Sequence, residues 1–462
     1  MEAIDRTDRV CIVGAGSSGL AAARNLAERG FAADVLERED DLGGNWNYGK
    51  PGARVYRSTH MISSKPFTQF PDFPMPASFP DYPHHAQVLE YLRAYAEHFG
   101  VAERIEYRTP VERLEPAAEG PGWEVTTGAG ERRRYAAVVV ANGHNWLPKW
   151  PRWEGEFAGE MLHSADYRTP DGFEGKRVLV IGGGNSGCDI VVEAAQHAAR
   201  TLHSTRRGYW YMPKYVMGRP ADQVGDALLK LRVPLAVRRL VGTLSMRLLV
   251  GPPERSGLPR PDHRLFETHP VVNSLLPYYV KHGDVIPRPD VVGFAGRTVR
   301  FADGTAEEVD VVVCATGYAI AFPFIDPALL NWRDGRPRLY KHVFHPERDD
   351  LFVAGMIQPD SGQFGLVHWQ TRAVALFLAA LRVGTPAGRA FRAEKRRFEE
   401  DFGHGIRYKE STRHYLEVEH WSYLRGLKRV CRRLAAGLPA PARHPAPARG
   451  GRARPGLVGS GP

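Results

Sequence analysis

Residues 9–19 read RVCIVGAGSSG, and residues 177–187 read RVLVIGGGNSG. Each stretch begins with an apolar run that predicts a buried parallel strand, and each ends in a Gly-x-Gly-x-x-Gly turn that opens a helix. Glycines in this pattern let the backbone approach a pyrophosphate, which the positive end of the helix attracts. Two such turns predict an α/β fold with two Rossmann-like dinucleotide-binding domains. We call residues 14–19 the first glycine turn and residues 182–187 the second.

The two turns differ at the end of the next strand. After the first turn that strand, residues 31–36, ends at Glu37, where a carboxylate accepts the hydroxyls of an adenosine ribose. The matching position after the second turn carries Ser204, Arg206 and Arg207, which suit the extra phosphate of NADPH. The sequence therefore predicts FAD at the first turn and NADPH at the second. The predicted contacts are Gly14, Gly16, Ser17, Ser18, Gly19 and Glu37 for FAD, and Gly182, Gly184, Asn185, Ser186, Gly187, Ser204, Arg206 and Arg207 for NADPH.

Two further strand-like runs end in small residues. Residues 136–140 run into Ala-Asn-Gly-His at 141–144, and residues 309–314 run into Ala-Thr-Gly-Tyr at 315–318. Small residues after a parallel strand let the backbone pass close to a cofactor or a crossing chain. We interpret the two turns as the points where the chain leaves the first domain and returns to it.

The expected domains follow from these two points. We expect a discontinuous FAD domain at residues 1–167 and 319–434, with an NADPH domain at residues 168–318 inserted in it. A chain of 462 residues is long enough for at least two domains. Within the NADPH domain, residues 218–289 are rich in Pro and Arg and are predicted to form a lid or substrate-access region.

The returning chain contains one more predicted strand, a turn and a helix. The strand covers residues 351–355, and the Gly-rich turn 356–365 contains Gln358, which is predicted to contact cofactor. The helix, at residues 366–381, can point its positive N-terminal end at the flavin.

Charge and hydropathy limit the partners and the location. The net charge of +10 arises after Glu419, where nine basic residues follow and leave the rest of the chain near +1, so we expect no nucleic-acid partner. Residues 435–462 are dominated by Pro, Ala, Gly and Arg and are predicted to be a disordered tail.

The most apolar segment, residues 234–250, is interrupted by arginines, so no transmembrane segment is expected. Because the first residues lack a signal-peptide pattern, we expect a cytoplasmic protein.

The four cysteines indicate neither a metal site nor a dithiol. Cys11 and Cys314 lie in apolar strand-like runs, Cys188 follows the second glycine turn, and Cys431 stands alone. They contain no Cys-x-x-Cys pair, so we expect small buried side chains and no bound metal.

A linker motif between the two glycine turns carries a family resemblance. Residues 157–167 read FAGEMLHSADY, which fits the Phe-x-Gly-x-x-x-His-x-x-x-Tyr pattern of flavin-containing monooxygenases. The chain resembles this family over most of residues 8–425. Further matching pieces are residues 43–46 (Gly-Gly-Asn-Trp), 70–74 (Phe-Pro-Asp-Phe-Pro), 315–318 and 415–419 (Tyr-Leu-Glu-Val-Glu).

The resemblance implies an oxidoreductase that reduces FAD with NADPH, forms a flavin hydroperoxide with O₂ and transfers one oxygen to a soft nucleophile. The substrate would be a small molecule with an amine nitrogen or a sulfide sulfur. In such an enzyme the cofactor supplies the organic chemistry, and the protein supplies position and water exclusion. The resemblance adds Gly44, Asn45, Trp46, Ala315, Thr316, Gly317 and Gln358 to the expected cofactor contacts. Within the linker motif, we interpret His163 as a packing residue.

The sequence departs from the family at one catalytic position. In the family, a segment after a Tyr-x-Ser run carries an Asn that hydrogen-bonds the oxygenated flavin, and residues 56–65 (YRSTHMISSK) place Ile62 there. An aliphatic side chain cannot donate that hydrogen bond. Either His60, Ser63 or Ser64 supplies a replacement donor, or the enzyme releases peroxide.

Other functions remain open at this stage. A Baeyer–Villiger monooxygenase is the nearest alternative, but its related motif normally ends in Trp where this chain has Tyr167. A disulfide reductase would need a dithiol. An NADPH oxidase or a non-catalytic dinucleotide-binding protein also fits the two glycine turns, since a fold alone does not decide function.

Overall fold

The computed structural model of the protein describes residues 3–230, 233–397, 406 and 415–440. Its strands are β1 Ile4–Val13, β2 Ala32–Leu36, β3 Ile105–Glu106, β4 Val111–Pro116, β5 Trp123–Thr127, β6 Arg132–Val140, β7 Leu147–Pro148, β8 Glu160–His163, β9 Arg177–Ile181, β10 Arg200–Ser204, β11 Tyr215–Val216, β12 Arg219–Pro220, β13 Val285–Arg288, β14 Val291–Ala295, β15 Thr298–Phe301, β16 Ala306–Glu308, β17 Val311–Cys314, β18 Tyr318–Ala319, β19 Trp332–Arg333, β20 Arg336–Pro337, β21 Leu351–Val353, β22 Gln358–Pro359 and β23 Glu417–Val418.

The helices lie between these strands. The α-helices are α1 Ser17–Glu28, α2 Lys65–Thr68, α3 His85–His98, α4 Asn185–His197, α5 Ala221–Lys230, α6 Leu235–Leu249, α7 Leu275–His282, α8 Phe364–Val383, α9 Pro386–Arg396 and α10 His420–Ala435. Short 3₁₀ helices cover Gly44–Trp46, Ala102–Arg104, Pro253–Ser256 and Pro327–Leu330.

The first glycine turn belongs to a seven-stranded sheet in the order β3-β2-β1-β6-β5-β4, with β21 also paired to β6. Strands β3, β2, β1, β6 and β21 are parallel, and β5 and β4 are antiparallel. The apolar end of β1, residues 10–13, is buried between β2 and β6, as its sequence predicts. Helices α1 and α8 pack against each other and cover one face of this sheet.

The second glycine turn belongs to a five-stranded parallel sheet in the order β13-β10-β9-β17-β8. Here β9 lies between β10 and β17, as β1 lies between β2 and β6 in the first sheet. The two sheets confirm the expected α/β fold with two Rossmann-type units. The residue bounds of the two domains stay a prediction.

The small residues at the strand ends have a steric cause. Gly14 has a φ of +103°, and a Cβ built on it would lie 2.9 Å from the Ala141 carbonyl oxygen. Gly182 has a φ of +128°, and a Cβ there would overlap the Ala315 carbonyl oxygen. At each glycine turn, the backbone after a neighbouring parallel strand therefore occupies the space that a side chain would need.

Helix α8 bears on the expectation that no segment spans a membrane. By length and composition it is a candidate span, with a mean hydropathy of 1.3 over its best window. However, 72% of that window is buried inside the protein, where α8 packs against α1 and α10. A buried core helix passes the same test, so the finding is weak support for a span. It is the only candidate among the described residues, whereas the sequence pattern indicates residues 234–250 as the most apolar segment.

The four cysteines are buried free thiols, as expected. The predicted disordered tail starts inside the described part, at Ala435, the last residue of α10. From residue 441 onward it lies outside the described residues.

Candidate cofactor and active site

A cavity of about 550 Å³ lies at the carboxyl ends of β1, β2 and β6. Protein sites for small molecules and cofactors commonly have volumes of roughly 300–1,000 Å³. Many residues expected from the sequence line the cavity: Gly14, Gly16, Ser17, Ser18, Glu37, Gly44, Asn45, Trp46, Ile62, Ser63 and Gln358. The first sheet thus brings together segments that are far apart in the chain.

The N-terminus of α1 faces this cavity without a side-chain cap. Its N-cap is Gly16, no side-chain cap hydrogen bond is found there, and no acidic residue occupies the first turn of this described helix. The first backbone N–H groups of a helix lack intrahelical partners, and the helix dipole adds positive charge there. A pyrophosphate fits this arrangement.

Glu37 lines the cavity and is held beside the first glycine turn by hydrogen bonds. It follows β2, is 5% exposed, and accepts a hydrogen bond at Oε2 from the Ala15 N–H at 2.7 Å. Its Oε1 accepts the Glu39 N–H at 3.0 Å. Burial raises the pKa of Glu37, and these two hydrogen bonds oppose the rise. The carboxylate is thus held beside the turn, where it can accept ribose hydroxyls.

Trp46 and the start of α8 form another wall. Trp46 packs edge-on against Phe364 with ring centroids 6.4 Å apart. Both residues line the cavity together with Gln363, the N-cap of α8. The N-terminal end of α8 therefore faces the cavity in which the flavin is predicted to lie. Trp46 both packs against the core and faces the cavity.

The second glycine turn resembles the first in its helix terminus. Gly184 is the N-cap of α4, which in its described first turn has neither a side-chain cap hydrogen bond nor an acidic residue. Gly187 packs against the Gly182 carbonyl, where a Cβ would clash. This terminus therefore fits a second pyrophosphate.

The side chains of Asn185 and Ser204, which the sequence predicts to contact the nucleotide, form hydrogen bonds with backbone groups of the protein. The Asn185 amide donates to the Pro270 carbonyl at 3.0 Å and accepts the Val272 N–H at 2.8 Å. Ser204 is buried and donates from Oγ to the Pro289 carbonyl at 2.7 Å. These hydrogen bonds fix both side chains and leave the Asn185 amide a second N–H and the Ser204 hydroxyl its acceptor lone pairs, so their contact with the nucleotide stays a prediction.

Arg206 and Arg207 follow the end of β10. Arg206 is exposed, and Arg207 stacks on the ring of Tyr209 with its guanidinium 5.3 Å from the centroid. Contact between either arginine and the NADPH phosphate stays a prediction.

The structure separates the three candidate replacement donors near Ile62. Ile62 and Ser63 line the cavity, and the Ser63 Oγ lies 2.7 Å from the Thr68 Oγ1. His60 is exposed, and its Nδ1 contacts the Ser58 carbonyl oxygen at 2.8 Å. Ser64 is fully buried outside the cavity wall. Of the three, Ser63 is therefore the donor that the structure brings to the cavity, and His60 and Ser64 are not brought there.

The Ala-Thr-Gly segment and the linker motif lie beside the second turn. Ala315 packs against Gly182, and Thr316 donates from Oγ1 to the Lys149 carbonyl at 2.6 Å. The backbone N–H of Lys149 donates to the Gly317 carbonyl at 2.9 Å. His163 is buried, and its Nδ1 accepts the Ala165 N–H at 3.0 Å. These contacts agree with a packing role for His163.

Sequence reasoning missed several cavity residues. Thr68 pairs with Ser63, while His144 and His269 line the cavity from two different loops. His144 lies in a turn that the sequence had singled out for its backbone, so its side chain was detectable. The segment around His269 carries no local pattern that indicates a cavity residue.

Comparison with known proteins agrees with this geometry. The family model "Flavin-binding monooxygenase-like" matches residues 7–431. Flavin-containing monooxygenase 5 of Oryctolagus cuniculus is 34% identical over 440 residues, which covers 89% of this chain and 80% of that protein. Flavin-containing monooxygenase 3 of Rattus norvegicus is 36% identical over 372 residues, which covers 76% of this chain and 70% of that protein.

Solved structures show the same fold. The S-allyl-L-cysteine S-oxygenase of Allium sativum aligns with a TM-score of 0.64 at 22% identity, covering 94% of this chain and 90% of that chain. Cyclohexanone monooxygenase aligns with a TM-score of 0.67 at 19% identity, covering 93% of this chain and 99% of that chain. The protein is an FAD- and NADPH-dependent monooxygenase, and it belongs to the flavin-binding monooxygenase-like family.

Proposed function

We propose that this protein transfers one oxygen atom from O₂ to the nitrogen of an amine or the sulfur of a sulfide. The observation that carries the proposal is the single cavity that extends from Glu37 to Ile62 and Ser63. One end fits an adenosine ribose, and the other is lined by apolar side chains and a hydroxyl pair. Among the relatives, dimethylaniline monooxygenase [N-oxide-forming] 2 of Oryctolagus cuniculus is 35% identical over 386 residues.

The chain's own residues hold and orient the cofactor. The N-terminus of α1 would hold the pyrophosphate, Glu37 would accept the ribose hydroxyls, and Trp46 would limit the position of the ring system. The redox chemistry between NADPH and O₂ would be supplied by the bound FAD.

The wall near the predicted flavin ring is built to exclude water. Met61, Ile357 and Phe364 are each at most 3% exposed and line the cavity beside Ile62. A water-poor wall strengthens the hydrogen bonds made inside it and prevents side reactions. The Ser63 hydroxyl, paired with Thr68, provides a polar group in this apolar surface.

Product analysis tests the proposal. The holoenzyme would receive NADPH, O₂ and, in turn, N,N-dimethylaniline, methyl phenyl sulfide and a cyclic ketone. We expect an N-oxide and a sulfoxide. An ester from the ketone, with neither of these products, would instead indicate a Baeyer–Villiger enzyme. Peroxide as the only product would indicate an NADPH oxidase, which is the outcome expected if Ile62 leaves the site without a donor.

A further inference from the structure

His269 forms part of the cavity wall although it belongs to the loop between α6 and α7. Its side chain is 11% exposed, and its Nδ1 lies 3.8 Å from Oε2 of Glu417, whose side chain is fully buried in β23. A carboxylate behind one ring nitrogen orients a histidine. The contact on Nδ1 leaves Nε2 as the ring nitrogen available to the cavity.

The backbone around His269 is held from helix α4. Residues 269–273, which we call the strap, are bound by Asn185 through the Pro270 carbonyl and the Val272 N–H. Asn273 donates to Asp189 Oδ1 at 2.7 Å. A side chain on a segment fixed in this way is positioned before any ligand binds.

Asp189 extends this anchoring to the flavin side. Its Oδ2 accepts the Tyr56 hydroxyl at 2.7 Å, and Tyr56 precedes the cavity residues Ile62 and Ser63 in the same segment. Hydrogen bonds thus link the strap to helix α4 and, through Asp189, to the segment that contains Ile62 and Ser63.

Two further titratable groups interact with the pair. His144, after β6, interacts with His269, and burial lowers the pKa of His144 to about 4. Asp360, after β22, interacts with Glu417. Burial, together with Glu419 and Glu417, raises the pKa of Asp360 to about 7, so Asp360 can exchange a proton near neutral pH.

Oxygenation with O₂ and NADPH consumes one proton for each substrate molecule. NADPH, O₂, substrate and one H⁺ give the oxygenated substrate, NADP⁺ and water. We propose that His269 delivers this proton as a catalytic residue and that Glu417 acts as its positioning residue; the proposal rests on the proposed function. The Nε2–H bond of His269 breaks as an O–H bond of the product water forms, and a solvent proton then restores Nε2–H.

Replacement of the histidine tests its catalytic role in the holoenzyme. General acid catalysis contributes about 10²–10⁴-fold, so His269→Gln and His269→Ala are expected to lower kcat for product formation about 100-fold or more. The rate at which NADPH bleaches the flavin absorbance should stay within about twofold of wild type. Added imidazole should restore at least about tenfold of the loss in His269→Ala. The matched control is His282→Gln, an exposed histidine in α7, which should behave like wild type.

Glu417→Gln tests positioning through a split between kcat and KM. It keeps the shape of the side chain and removes its negative charge, so kcat should fall while KM and the rate at which NADPH bleaches the flavin stay unchanged. A merely structural role would change KM and flavin content together with kcat.

The oxidised holoenzyme gives a readout that needs no turnover. Because His269 lines the cavity, the flavin absorbance spectrum in the absence of NADPH should differ between wild type and His269→Gln at one fixed pH. If His269→Gln keeps the wild-type kcat and the same flavin spectrum, or if imidazole fails to rescue His269→Ala, the proposal is wrong. A wild type without oxygenated product would contradict the proposed function, whereas the flavin spectra would still decide whether His269 contacts the flavin.

Discussion

Gly16 is the residue at which cofactor binding can be separated from folding. Its φ of −75° suits any residue, and a Cβ built on it would meet its nearest neighbour, the Gly44 Cα, at 3.9 Å. A larger side chain there would point into the cavity where the pyrophosphate is predicted to lie. We expect Gly16→Val to purify folded but without FAD, as measured by the ratio of flavin to protein absorbance and by circular dichroism.

A second glycine provides the control for this experiment. Gly172 is exposed and would have no described atom within 4 Å of an added Cβ, so Gly172→Val should keep its flavin. Full flavin retention in Gly16→Val would contradict the first FAD contact.

Arg206 is the residue that we expect to select NADPH over NADH. Charge-assisted hydrogen bonds contribute about 1.5–3 kcal/mol, so Arg206→Ala should weaken NADPH binding roughly 10- to 100-fold. NADH lacks the phosphate and should bind equally well to both proteins. Titrations with both nucleotides check this, with the exposed Arg113→Ala in β4 as control. An equal loss for NADPH and NADH would indicate a structural role for Arg206.

Ser63 is expected to limit peroxide release. Oriented hydrogen-bond donors in active sites are worth about 2.7–4 kcal/mol, so Ser63→Ala should raise the fraction of NADPH oxidised to H₂O₂. Ser64→Ala should leave that fraction unchanged, because Ser64 lies outside the cavity wall. Because we expect Ser63 to be the hydrogen-bond donor, Ile62→Asn should not lower the fraction of NADPH oxidised to H₂O₂. Assays of H₂O₂ against product decide the matter, and tight coupling in Ser63→Ala would remove Ser63 as the donor.

At the scale of elements, a buried lysine of α9 binds the segment that contains residues 345–349. Lys395 is 0% exposed, donates from Nζ to the His345 carbonyl at 2.7 Å and to the Pro346 carbonyl at 2.8 Å, and pairs with Asp349 at 3.1 Å. Removing the lysine leaves buried carbonyl oxygens without a donor, which costs about 1–3 kcal/mol. We expect Lys395→Met to lower the free energy of unfolding by this amount in urea titrations. The exposed Lys281→Met is the control, and equal stability of both variants would contradict the argument.

Some elements could be predicted from the sequence because their constraints are local. Strands β1 and β9 and their glycine turns follow from apolar runs and a fixed glycine spacing, and the start of α8 was placed within two residues. The donors near Ile62 could not be ranked, because the turn at α2 decides which hydroxyl faces the cavity. Ser204 was expected to face the nucleotide, but the Pro289 carbonyl binds its hydroxyl.

The His269–Glu417 pair shows the limit of local reasoning most clearly. The strap joins α4 through Asn185, whereas Glu417 reaches the same wall because β23 pairs with β22. Neither contact is encoded by a pattern near the residues involved. Such a pair becomes visible once the tertiary structure is known.

At the scale of the whole molecule, buried histidines predict acid sensitivity. Burial lowers the pKa of His85, His144, His203, His345 and His420 to about 4 and that of His342 and His368 to about 3, from 6.5. Below pH 6.5 the unfolded chain therefore binds protons that the folded chain does not, so stability falls as the pH falls toward 4. Asp360, with its pKa raised to about 7, acts in the opposite direction, as do Glu37, Asp189 and Asp222, whose pKa burial also raises, but these four carboxyls are outnumbered by the seven histidines.

Denaturant unfolding at several pH values measures this effect. The free energy of unfolding should decrease steadily between pH 6.5 and about 4, because the histidines titrate in this range only in the unfolded chain. A constant or rising stability over that interval would contradict the burial of these rings in neutral form.

The central claim is that the two glycine turns, the cavity and its apolar wall serve an oxygen transfer from O₂. Turnover of methyl phenyl sulfide under ¹⁸O₂, with NADPH consumption followed in the same sample, tests it most directly. The account predicts sulfoxide that carries one ¹⁸O atom, formed in equal amount to the NADPH consumed. Unlabelled sulfoxide, or NADPH consumption with H₂O₂ and no sulfoxide, would contradict it.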